Sequence, residues 1–170
     1  MKKSIVYILF IFILFLLQTT FFGWINVAGI VPNCLLAFSI SAALVNGSSE
    51  GMIAGFAGGL LLDILYSNII GMYAFAFVVI TFVMGKFHEM FYREDITIPT
   101  LIIGVGDLIY GIYMFAVAFV TRHETNLFFF LRRIILPEMI YTMLVGIIIY
   151  KLTSLAFGRV DRKGSDDLIV

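Results

Sequence analysis

Charge is scarce in this sequence, and cysteine and proline are scarcer. Asp, Glu, Lys and Arg make up 13% of the residues, and 11 basic side chains cancel 11 acidic ones. A balanced chain carries no electrostatic footprint for nucleic acid, so where the charges lie matters more than their sum. The lone cysteine, Cys34, excludes an intrachain disulfide; it sits in an apolar run, where it serves as a small buried hydrophobe. No Cys or His cluster has metal-ligand spacing, no phosphate-binding loop occurs, and no cofactor or metal is expected.

Apolar residues are what is abundant. They form 62% of the chain, with a mean hydropathy of +1.08, against roughly 45–50% in soluble domains. This is the composition of an integral membrane protein. In 170 residues with short polar connections there is no room for a soluble catalytic domain beside the membrane part.

The most patterned stretch runs from Glu50 to Asp63, where Gly51, Gly55, Gly59 and Asp63 recur every four residues. On a helix these lie along one face, nearly bare until it reaches a carboxylate. Glycine weakens a helix, and in apolar surroundings a row of glycines lets another backbone approach closely. The row therefore predicts a packing seam, against either an internal helix or a partner, ending in an acid.

Six spans are expected, at about 4–22, 30–46, 50–66, 69–85, 98–120 and 134–157, with a polar tail over 158–170. The first follows Lys2 and Lys3, lacks a small-residue cleavage site and ends in Phe21, Phe22 and Trp24, so it reads as an uncleaved helix. Gln18, near its end, is either an interhelical hydrogen-bonding residue or a boundary residue. Pro32, Pro99 and Pro137 head the second, fifth and sixth spans, where a missing amide hydrogen costs little. Leu127 to Leu131, apolar between charges, is expected to lie along the membrane surface. Six spans put Lys2, Lys3, Lys86, Arg93, Lys151, Arg159, Arg162 and Lys163 on one side, against Arg122, Arg132 and Arg133 on the other. That asymmetry places both termini in the cytoplasm.

Three acids then fall within spans: Asp63, Asp107 and Glu138. An Asp at a helix centre costs about 2.5–3.5 kcal/mol to insert, so each needs a partner. Arg132, Arg133, a helix end or a polar neighbour would supply one and fix packing; a proton or substrate site would require the acids to face one cavity. Asp107 shares its face with Gly104 and Gly111. The nucleophile-elbow match centred on Ser49 is accidental, because it bridges two apolar helices. His88 and His123 fall on opposite sides and read as surface residues. No feature points to an enzyme.

In order, the basic start, Leu17-Gln18-Thr19, Pro32, Gly51, Gly55-Phe56, Gly59-Leu60-Leu61, Asp63 and Gly71 resemble the MreD family of bacterial rod shape-determining membrane proteins. The resemblance implies an all-α integral membrane protein of the bacterial cell membrane. It implies a non-enzymatic part of the elongation machinery that works with the bitopic protein MreC, alongside MreB filaments, the glycan polymerase RodA and its penicillin-binding transpeptidase. The family's glycine and aspartate pattern falls on Gly51, Gly55, Gly59 and Asp63, with a structural role. An alternative of another class is a substrate-binding S component of an energy-coupling-factor vitamin transporter, whose six-helix bundle the MreD family is held to share. A vitamin pocket needs convergent polar groups, and the connections at 23–29 and 66–68 are short and nearly uncharged.

Overall fold

The computed structural model describes residues 2–24, 29–67, 69–90, 96–122 and 126–157. All regular elements among them are helical: α1 (Lys2–Leu16), α2 (Phe22–Trp24), α3 (Cys34–Asn46), α4 (Ser48–Tyr66), α5 (Met72–Gly85), α6 (Thr97–Arg122), α7 (Leu127–Phe130) and α8 (Leu136–Phe157). A π-helical stretch, Leu17–Phe21, joins α1 to α2, and a second, Leu131–Ile135, joins α7 to α8. Among the described residues, four helical segments are long and apolar enough to cross a membrane: Ile5–Trp24, Ser48–Tyr66, Thr97–Val120 and Leu127–Phe157. Cys34–Asn46 and Met72–His88 are apolar but shorter.

The bundle is built around α3. Every residue from Cys34 to Val45 is buried, and α1, α4, α5, α6 and α8 all pack on it. Its sequence is apolar all round, which suits a helix with no exposed face. At 13 residues it spans about 20 Å, well short of a hydrocarbon core of roughly 30 Å. The helix begins later than 30, because Ile30 to Asn33 run outside it and Pro32 holds the chain extended ahead of its first turn. Backbone that is not helical survives at such depth only when buried in protein.

Polarity inside and apolarity outside organise the outer helices. On α8, Ile140, Leu144, Ile148, Leu152 and Leu155 form an exposed row, while Thr142, Gly146 and Thr153 face inward. The buried hydroxyls of Ser39, Ser41, Thr81 and Thr153 each donate to the carbonyl four residues earlier, at 2.6 to 2.7 Å, so they need no outside acceptor. α1 meets the core through rings: Tyr7 lies 4.4 Å from Phe157 and Phe10 5.6 Å from Phe38, centroid to centroid.

The segment expected at the membrane surface, 127–131, is helical and continues through the π turn into α8 as far as Phe157. Pro137 therefore lies well inside this helical run. A proline there removes one ladder bond and crowds the carbonyl four residues back. The wide turn at Leu131–Ile135, in which the Leu136 N–H reaches back to the Leu131 carbonyl, lies directly ahead of it. Arg93, Glu94, Asp95, His123, Glu124 and the tail over 158–170 lie outside the described residues.

Candidate functional site

The polar groups within the apolar bundle gather at the end that carries Trp24, and most of them hold helix ends. Asp63 is the clearest case. Its side chain is completely buried, and its two oxygens accept from the backbone N–H groups of Tyr73 and Ala74, both at 2.9 Å. Gly71, in the left-handed conformation at φ 106°, precedes α5 and offers no side chain to cap it. The carboxylate of α4 thus satisfies the open amides of α5, where negative charge also suits the helix dipole. Asp63 spends both oxygens on a neighbouring helix.

The first amides of α3 are held by three segments. Gln18 Oε1, on the π turn, accepts from Leu35 N–H at 3.1 Å. Asn33 Oδ1 accepts from Leu36 N–H at 3.3 Å, and Thr142 Oγ1 of α8 accepts from Asn33 N–H at 3.0 Å. Gln18 therefore makes an interhelical hydrogen bond.

The glycine row faces inward, but not onto a single neighbour. A step of four residues advances 400° around a helix, so such a row drifts 40° per step. Gly51 accordingly meets Ala43 of α3, whereas Gly55 and Gly59 meet α5. A Cβ on Gly59 would stand 2.5 Å from the Ala74 Cα and 2.7 Å from its nitrogen. On Gly55 it would be 3.1 Å from Thr81 Oγ1, and on Gly58 an ordinary 3.5 Å from Leu35. On α6, Gly104 abuts Met143 and Gly111 abuts Ile135, so that glycine face packs on the α7 to α8 segment.

Asp107 differs from Asp63. It is 1% exposed, and its carboxyl group stands within hydrogen-bonding reach of the Asn33 and Thr142 side chains without the close, well-aligned bonds that Asp63 makes. Glu138 lies within its electrostatic reach. Arg132 and Arg133 are exposed, the latter with its guanidinium 5.4 Å from the centre of the Phe129 ring. Glu138 lines a cavity of about 330 Å³ together with Gln18, Thr19, Asn33, Tyr66, Tyr73 and Tyr110. At the opposite end, Asn46 Nδ2 donates to Tyr7 Oη at 2.7 Å, and His88 Nδ1 donates to the Leu44 carbonyl at 2.6 Å. His88 is thus a half-buried strut rather than a surface residue. Ser49 lies in the first turn of α4.

A family model described as rod shape-determining protein MreD matches residues 1–156. The chain belongs to the MreD family. It is a membrane protein with a role in rod shape determination. No curated protein and no solved structure matches it. Within this member of the MreD family, the glycine and aspartate pattern lies between helices of one chain. Asn33 and Thr142 were not singled out from sequence. A capping residue type ahead of an apolar run was the available signal for Asn33; a threonine within an apolar helix carried none for Thr142.

Proposed function

We propose that this chain is a non-enzymatic scaffold of the bacterial cell-elongation machinery. It crosses the membrane six times with both termini in the cytoplasm and holds an MreC-like bitopic protein in place. RodA, the penicillin-binding transpeptidase and MreB assemble around that pair, directly or through it. The family match over 1–156 carries this reading, and the use of the polar groups supports it: Asp63, Gln18, Asn33 and Thr142 are committed to helix ends. Gly51, Gly55, Gly59 and Asp63 serve helix packing, keeping α4 locked to α3 and α5 so that the outward faces keep a fixed shape for a partner helix.

The test is to tag the protein, solubilise native membranes gently and identify what co-purifies by mass spectrometry. An MreC-like protein with cell-wall synthases is the expected recovery. Recovery of a transport ATPase pair with its membrane coupling subunit would overturn the scaffold reading.

A further inference from the structure

The cavity at the Trp24 end combines two features that the scaffold role does not use. Its wall carries three tyrosines, Tyr66, Tyr73 and Tyr110, together with the carboxyl group of Glu138. Behind that wall, next to the lining residue Asn33, sits the buried carboxyl group of Asp107. Two acids lie within each other's field, and among the described residues no basic side chain answers them. A carboxyl group on a cavity wall demands hydrogen-bond donors or positive charge, and Glu138 is placed to take them from a guest in the cavity. Aromatic rings beside an acid favour one class of guest, because the ring face attracts a cation while tolerating its methylene groups. Gln18 Oε1 and Asn33 Oδ1, engaged by backbone amides, are acceptors too, and no Lys, Arg or His is among the residues that line the cavity.

We infer that this cavity binds an ammonium group, with Glu138 as its counter-charge, the tyrosines around it and Asp107 behind it. At about 330 Å³ the space is at the lower end of small-molecule sites. It suits a short amine, whether a free molecule or the headgroup of an aminophospholipid whose acyl chains remain in the bilayer.

The experiment uses the full-length protein in nanodiscs of phosphatidylglycerol alone, titrated with ethanolamine and choline while thermal unfolding is followed. Ethylene glycol, which replaces the ammonium of ethanolamine by a hydroxyl, is the neutral control. A saturable rise in melting temperature with the amines only is expected. Apparent affinity should fall at least tenfold in Glu138→Gln and remain unchanged in Glu50→Gln, at the other end of the bundle. Tyr66→Ala, at a ring 60% exposed and so dispensable for packing, should weaken binding several-fold. It carries the test if Glu138→Gln does not fold. In a second arm, nanodiscs containing phosphatidylethanolamine are analysed by native mass spectrometry. Selective retention of that lipid, competed by free ethanolamine, identifies the headgroup as the source; amine binding without retention identifies a free molecule. An equal response to ethylene glycol, no saturable response to either amine or to the lipid, or unchanged binding in both Glu138→Gln and Tyr66→Ala would overturn the inference.

Discussion

At the scale of single residues, two neighbouring glycines of α4 have different tolerances, and the difference is measurable. Gly58→Ala adds a methyl group at ordinary contact distance from Leu35 and should leave thermal stability in detergent nearly unchanged. Gly59→Ala drives a methyl group into the Ala74 backbone, which cannot yield as a flexible side chain would, and should lower stability by about 1–3 kcal/mol. Equal melting temperatures for the two variants would refute tight α4 to α5 packing at Gly59. Asp63 offers a second comparison. Asp63→Ala removes the acceptor of two amides, one buried and one part-buried, a loss of about 2–6 kcal/mol at roughly 1–3 kcal/mol for each group. Asp63→Asn keeps one acceptor and should fall between alanine and the wild type; if asparagine matched the wild type in denaturant titrations, the ionic character of the cap would be irrelevant.

At the scale of elements, the short central helix depends on side chains borrowed from elsewhere. Gln18→Leu keeps the volume and removes the acceptor for the Leu35 amide, so hydrogen exchange at Leu35 should accelerate while exchange in the middle of α6 stays slow. Protection retained at Leu35 would show that another group caps α3. Much of this level was legible beforehand: residues that belong together, such as Gly55 with Asp63, repeat with the helical period, and the helices of α4, α5 and α6 lie close to where hydropathy places them. What was not legible depends on distant partners or on local strain. The spacing of the glycine row shows a bare face but not that its drift takes Gly51 to α3 and Gly59 to α5. A proline at 137 reads as a helix start until a π turn allows the helix to begin ten residues earlier, at Leu127. The pairing of Asn33 with Thr142 crosses 109 positions, and no local pattern encodes it.

For the whole molecule, the proposed orientation can be read with the protein's own chemistry. Cys34 is 1% exposed, so a membrane-impermeant maleimide should leave the native protein unlabelled. Against that silent background, Arg132→Cys should be labelled from outside intact cells, and Lys86→Cys only after the inner face is opened. Labelling of Lys86→Cys in intact cells would invert or break the six-span topology. The enclosure of α3 also imposes an order on biosynthesis. One of the groups that secures its entry, Thr142, lies 109 positions further along the chain, on α8. Until α8 is made, the Asn33 amide lacks this acceptor and the flank of α3 that α8 covers is bare. A chain stopped before residue 136 thus leaves the entry of α3 unsecured, so the fold of this central helix is settled only when a segment a hundred positions away has been made.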